Sequence, residues 1–355
     1  MLISIGLGAQ TMSRVFQLPY KFLLSFLLLL IFVTANIPLT YAEGKVTGGQ
    51  ISKHPAWFKE SFLDIAEDIS EAADSDKHVM LFMHLNGCPY CNKMTEENLK
   101  NAPYTQFIKD NFDVIALNIK GDREVALNED ISFSEKDLAE HFKVIYTPTV
   151  IFLNSDNKVV ARTNGYRNVG DFKHVLDYVQ TKSYAKTSLA KFIDKQKKAT
   201  YTFRPHPLLS TTNNLQSLTD KPLAVLFEDK SCTDCDALHD GYFKNVDVNN
   251  ILKKIHFVRL DALSTSPIND IEGNKTTPRE LAEKLNLTYR PGIVLFDEGK
   301  EIMRIEGLLY EYHFTEVLRY VGERHYKKYP KSFYDYLDVR TAELVKAGKV
   351  IDLSK

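Results

Sequence analysis

The chain has 355 residues, 44% hydrophobic and 26% charged, enough to bury a core in each of two ordinary domains and too apolar for a disordered chain. A formal net charge of −1 leaves no basic excess to hold a nucleic-acid backbone, so no nucleic-acid partner is expected. Its four cysteines fall in two close pairs, which make a poor structural staple for a protein of this size and point to chemistry instead.

The first 42 residues contain no acidic side chain, and Arg14 and Lys21 lead into FLLSFLLLLIFV, an apolar run from Phe22 to Val33. Small residues Thr40 and Ala42 follow Pro38, the pattern of a secretory signal peptide over residues 1–42 that is removed before Glu43. A spanning helix wants about 20 apolar residues, and Asn36 and Pro38 interrupt this run. The expected location is therefore periplasmic or secreted. The ending IDLSK carries no KDEL-type signal, which weighs against the lumen of the endoplasmic reticulum.

Behind Pro55, the residues Phe58, Phe62, Ile65 and Ile69 share one face at helical spacing, predicting a first helix. A buried strand from Val79 to Leu85 follows and ends at the first cysteine pair, Cys88 and Cys91. Next come a helix through Met94 and Leu99, a strand DVIALNI from Asp113, a polar insertion, and a helix opened by Ser134 with Asp137 as a capping box. A strand beginning at Pro148, the turn SDN, a second strand, Gly165 and a helix ending near Val179 close the unit. Residues 183–207, rich in Lys, Thr and Ser and ending FRPHP, read as a linker.

The order then repeats. The strand Leu223 to Phe227 leads to Cys232 and Cys235, HFVRLDA follows from His256, and Thr277, Pro278 and Glu280 open a capped helix. A strand then starts at Pro291. Leu138, Ala139, Glu140, Tyr146 and Pro148 match Leu281, Ala282, Glu283, Tyr289 and Pro291 at one offset of 143 residues, and the cysteine pairs repeat at 144. A long similarity at a fixed offset means two copies of one domain. The expected fold class is α/β, each copy a central mixed sheet flanked by helices over residues 50–182 and 208–322. A C-terminal helical extension over 323–355, carrying Phe333, Tyr336, Leu337, Leu344 and Val345, is expected to pack on the second copy.

A cysteine that ends a buried strand and opens a helix sits where free N–H groups and the helix dipole stabilise a thiolate. That position is Cys88, and Cys91, three residues along the same helix face, is close enough to close a disulfide with it. The pair reads as nucleophile and resolving thiol, with Cys232 and Cys235 as a second site. Zinc ribbons join two such pairs across roughly 15–20 residues and haem attachment requires a following His, so neither rival fits.

The order strand, CPYC or CTDC, helix, then a later strand opened by YTPTV or YRPGIV and a Gly, resembles the thioredoxin superfamily twice over. CPYC with TPT and the SEKDLAEHFKV insertion is similar to exported, periplasmic thioredoxins of the kind associated with bacterial sulfur oxidation. The resemblance implies a cis Thr147–Pro148 bond whose flanking backbone pairs with an extended substrate segment, and it implies no metal and no organic cofactor. Pro89, Tyr90, Thr147, Pro148, Arg290 and Pro291 are the implied substrate-binding residues. Protein thiols and disulfides are the implied partners, together with a membrane thiol–disulfide electron donor. The sequence departs from ordinary thioredoxins at Phe82, where they place an Asp, and the sole Trp, Trp57, lies away from the cysteines. His84 and Glu228, four residues before each pair, are the candidate proton acceptors. CPYC is also the glutaredoxin spelling, so glutathione stands as an alternative thiol.

The reading is a thiol–disulfide oxidoreductase that reduces or exchanges protein disulfides, with the CTDC site in relay. Its alternatives are a disulfide oxidase or isomerase, or a second copy that is a redox-inert binding module. Glu228, Asp229, Asp234 and Asp236 surround the CTDC pair against a single Lys230, which predicts a less acidic thiol and a lower potential there than at CPYC.

Overall fold

The computed structural model describes residues 43–51, 53–307 and 309–355; the expected signal segment lies outside the described residues. The chain enters through β1 (Lys45–Thr47) and runs past Pro55 to helix α1 (Ile65–Asp74). The helix starts later than the sequence pattern predicts. Leu63 takes a left-handed φ of 66°, and its carbonyl is bonded by Ala126 N–H, so the segment before it runs alongside the domain. Asp64 then caps the helix by accepting from Glu67 N–H, which satisfies one of the free donors of the first turn. Phe58 is still buried, in a turn, while Phe62 is 98% exposed.

Strand β2 (His78–His84) is buried at every position, as a central strand covered on both faces must be. Helix α2 (Pro89–Met94) continues as a π turn over Thr95–Lys100, and α3 (Thr105–Asn111) leads into β3 (Phe112–Asn118). The polar insertion is a hairpin, β4 (Glu124–Asn128) and β5 (Ile131–Ser134), that ends at the cap of α4 (Glu135–His141). Ser134 accepts from Asp137 N–H, but the predicted box is only half formed, since the Asp137 carboxylate accepts from the Ser134 hydroxyl rather than from its backbone N–H. Strands β6 (Thr149–Leu153) and β7 (Val159–Asn164) and helix α5 (Val169–Gln180) complete the first copy. Its sheet has the order β3-β2-β6-β7, with β2 parallel to β3 and the other pairs antiparallel. One face packs Met80, Phe82, Phe152 and Phe172, the other Leu81, Met83, Ile65 and Leu138. The alternation of the strand thus sends apolar side chains to two cores at once.

The stretch expected as a linker is anchored. Helix α6 (Leu189–Asp194) buries Leu189 and Ile193 in the first copy's core, and Tyr201 and Phe203 reach the second copy. The second copy then follows as β8 (Leu223–Glu228), α7 (Cys235–Asp240), α8 (Val246–Leu252), β9 (His256–Asp261), the short pair β10 (Ile268–Asn269) and β11 (Lys275–Thr276), α9 (Pro278–Lys284), β12 (Gly292–Asp297), β13 (Lys300–Ile305) and α10 (Glu311–Gly322). Its sheet order, β9-β8-β12-β13, repeats that of the first copy. The capping box at Thr277 and Glu280 is complete in both directions.

The extension forms α11 (Phe333–Lys346) and β14 (Val350–Asp352). Phe333, Tyr336 and Leu337 join the second copy's core, as expected. Strand β14 also pairs in parallel with β1, so the end of the chain is tied to the segment that precedes the first copy. The copies meet through equivalent loops. Gly165 and Gly307 face each other so closely that a Cβ on Gly307 would stand 3.0 Å from both Tyr166 O and an Arg167 guanidinium nitrogen. Arg167 is 1% exposed and donates to Asn164 O and Glu306 O, bridging the two copies.

Candidate active site

After β2, Gly87 turns the chain at φ 82° and Cys88 becomes the N-cap of α2, with Pro89 at the favoured first helical position. Cys88 Sγ accepts from Cys91 N–H at 3.1 Å, and Thr147 Oγ1 donates to it at 3.3 Å. Both cysteines are free thiols; Cys88 is 8% exposed and Cys91 is fully covered. Burial by itself raises the Cys88 thiol, but donation from the Cys91 side chain, Thr147 and the backbone N–H groups of Cys91 and Tyr90 outweighs it and holds the thiol below its usual range. Burial pushes Cys91 well above that range, and the neighbouring Cys88 adds to the effect.

The Thr147–Pro148 and Arg290–Pro291 bonds are both cis. Thr147 N–H, which the resemblance assigns to substrate backbone, donates instead to Tyr334 Oη of α11 at 3.1 Å. Tyr334, Thr147 and Cys88 thus form one chain of polar contacts, which no pattern in the tail announced. Tyr90 is likewise held by the second copy: its hydroxyl accepts from Tyr310 N–H at 2.7 Å and contacts His313 Nδ1 at 2.8 Å. His84 lies off this chain. Its ring packs on His54 with centroids 4.5 Å apart and stacks on Phe82, and among the described residues no hydrogen bond joins it to either cysteine.

The second pair is a disulfide, Cys232–Cys235, with both cysteines buried and Cys235 opening α7. Tyr201 and Phe203 pack over it, and Thr200 and Tyr201 N–H both donate to Lys230 O, at 2.7 and 2.9 Å. Glu228 is fully buried, and its carboxylate is occupied by His239 Nε2 at 2.7 Å and Tyr201 Oη at 3.4 Å, with Arg259 3.8 Å away. Arg290, expected to meet substrate, points its side chain inward and is 3% exposed; its Nε donates to Asp229 at 2.9 Å. Pro291 lines a smaller cavity of about 140 Å³ with Asp234, Tyr289 and, from the first copy, Tyr166 and Asn168.

These contacts correct the electrostatic expectation for CTDC. Asp229 pairs with Arg290, Asp236 with Arg204 at 3.2 Å, Asp234 accepts from the Tyr289 hydroxyl, and Glu228 faces His239 and Arg259. The cations come from distant parts of the chain, so counting sequence neighbours overstated the negative charge around the disulfide. Asp234 keeps only a neutral partner and Arg204 is shared with Asp240, so the predicted ordering of the two potentials loses part of its basis.

Burial holds His313 and His84 neutral, each lowered from 6.5 to about 4, with a smaller contribution from His54 at His84. Between pH 6.5 and 4 the unfolded chain binds protons that these rings refuse in the folded state, so stability falls as pH falls through that window and is unaffected by them above it. At pH 5 each ring costs about 2 kcal/mol. The urea midpoint is expected to drop between pH 7.5 and pH 5, and His313→Leu should reduce that drop; an equal drop in the variant would show that His313 is not a source.

A thiol below its usual range beside a second thiol can exchange with a disulfide, and this chemistry on this fold defines a thiol–disulfide oxidoreductase. A family model of the thioredoxin-like domain matches residues 65–180 and 213–322, and the chain belongs to that family, in two copies. No curated protein matches the chain. Among solved structures it is similar to a thioredoxin-fold protein from Helicobacter pylori, at 26% identity over 34% of this chain and 84% of that one, with a TM-score of 0.31. It is also similar to a thioredoxin from Thermus thermophilus, at 23% identity, 38% and 89% coverage and a TM-score of 0.27. A third is the oxidised DsbD C-terminal domain from Neisseria meningitidis, at 16% identity, 33% and 88% coverage and a TM-score of 0.24.

Proposed function

We propose that this chain is an exported thiol–disulfide oxidoreductase in which Cys88 attacks and Cys91 resolves. The observation that carries the reading is the asymmetry of the pair. Cys88 Sγ is held by Cys91 N–H and the Thr147 hydroxyl, while Cys91 lies behind it with no exposure. The Cys88 thiolate attacks one sulfur of a disulfide, forming a mixed disulfide and releasing one thiolate, which takes up a proton. Cys91, once deprotonated, attacks Cys88 Sγ, closes the Cys88–Cys91 disulfide and releases the second thiol. Two electrons pass from the protein to the substrate, and the reverse sequence oxidises a dithiol. Protein disulfides, a membrane electron donor and relay through Cys232 and Cys235 extend this reading, with a protein segment reaching Thr147 N–H only by displacing Tyr334.

A second reading is favoured by the cover over Cys232–Cys235: with Tyr201 and Phe203 packed on a fully buried disulfide, the second copy acts as a redox-inert binding module. Alkylation of the full chain after equilibration in graded dithiothreitol separates the two. Relay requires both pairs to respond under native conditions, and a Cys232–Cys235 bond that opens only in denaturant excludes it. Export rests on the apolar run from Phe22 to Val33 and the small residues after it. N-terminal sequencing of natively produced protein is expected to start near Glu43; retention of Phe22 to Val33 in a membrane fraction would reject cleavage.

A further inference from the structure

Beside Cys88 the two copies and the extension enclose a cavity of about 500 Å³, inside the range of about 300–1,000 Å³ that suits small ligands. Leu85, Pro89, Leu309, Val317, Leu337 and Val345 form much of its wall, and Cys88 is part of it. Among the described residues the wall holds two fully charged side chains, and both are engaged. Arg304 donates to both oxygens of Glu301 and to Leu285 O, and Asp338 pairs with Lys120 at 3.3 Å. His313, also in the wall, is in contact with the Tyr90 hydroxyl. The cavity meets solvent at Val46, which is 43% exposed, and at the Asp338 side chain, which is 70% exposed.

We propose that this cavity binds an uncharged, largely apolar, low-molecular-weight disulfide and presents it to Cys88. The inference rests on the reading of Cys88 as nucleophile and names the substrate of that site. An extended protein segment would need the Thr147 N–H, which Tyr334 holds, and an approach to a sulfur that α11 and the second copy cover. A small molecule needs neither. An apolar body displaces water from the Leu and Val wall, whereas a carboxylate placed there would lose its hydration without gaining a free cation. The Cys88 thiolate attacks one sulfur of the bound disulfide and the substrate S–S bond breaks. The freed thiolate takes up a proton, and Cys91 then attacks Cys88 Sγ and releases the second thiol. The protein loses two electrons and two protons, and the substrate gains both.

The test uses the full chain, reduced and freed of reductant, with oxidised lipoamide as the uncharged disulfide and oxidised lipoate, which has the same dithiolane ring and a carboxylate in place of the amide, as the charged one. Lipoamide is expected to oxidise the Cys88–Cys91 dithiol about a hundredfold faster, since lipoate must bury a carboxylate without a partner. Ala342, exposed at the cavity wall, offers a substitution that leaves the core intact: Ala342→Trp should fill the space and slow lipoamide about tenfold or more. Val345→Arg, which places a free cation in the wall, should move the rate ratio toward lipoate by about tenfold. Equal wild-type rates for the two disulfides, or a lipoamide rate unmoved by both variants, would overturn the proposal. Methyl methanethiosulfonate keeps the two levels apart: if it fails to label Cys88 in the reduced protein, the nucleophile assignment itself is wrong.

Discussion

Replacing Cys88 by serine is expected to lower disulfide exchange about a thousandfold or more, because a serine hydroxyl at this site is not a usable nucleophile toward sulfur. Cys91→Ser should behave differently. Cys88 keeps the Cys91-position N–H and the Thr147 hydroxyl as donors, so it still attacks, but nothing resolves the product and a mixed disulfide accumulates. Non-reducing electrophoresis and intact mass measurement distinguish the outcomes. Mixed disulfide in Cys88→Ser and none in Cys91→Ser would reverse the roles. The structure supplies the reason for the expected order: burial sets both thiols against ionising, but only Cys88 collects enough donors to overcome it.

The largest expected loss of stability lies at Arg290, which the resemblance to thioredoxins assigned to substrate. Arg290 and Asp229 are both buried, and their contact at 2.9 Å is supported by Arg290 donation to Leu287 O and Tyr289 O and by Ser231 N–H donation to Asp229. Arg290→Met leaves a carboxylate buried without its cation, a change that costs about 3–5 kcal/mol. The double variant Asp229→Ala/Arg290→Met removes both charges and should recover much of that loss. Urea unfolding of the full chain reads both; a single variant within 1 kcal/mol of the parent would mean that Asp229 finds another partner. The prediction also separates structure from substrate recognition, since a substrate-binding arginine would alter exchange rates while leaving the unfolding midpoint in place.

Where sequence reading succeeded, it used signals that are local or repeated. The β2 run HVMLFMH is apolar at every position, and Cys88 follows it at a helix start that Pro89 marks. The offset between YTPTV and YRPGIV exposed the second copy without any need to know how it folds. Where it failed, the deciding contact came from far along the chain. Phe62 fits the helical face of Ile65 and Ile69, yet the helix begins only at Ile65, after the Asp64 cap, because the preceding backbone bonds to β4. Residues 183–207 have the composition of a linker, but Leu189, Ile193, Tyr201 and Phe203 are spent on packing. The four carboxylates near CTDC are visible in the sequence, whereas Arg290, Arg259, Arg204 and His239 become their neighbours only after folding.

By itself the sequence determined the two-copy α/β architecture and the position of each cysteine pair at a strand end, because alternation, helical spacing and capping act over a few residues and leave their period in the chain. Only the tertiary structure decided what each pair faces. Tyr334 on Thr147, Tyr310 and His313 on Tyr90, and Tyr201 over Cys232–Cys235 join segments whose composition carries no sign of the partner. The physical reason is that a side chain's apolar character shows that it will be buried but not against which surface, and a hydrogen-bonding group shows that it needs a partner but not which one. The cavity beside Cys88 is the product of those pairings, so the substrate it admits was decided by packing between the copies and the extension.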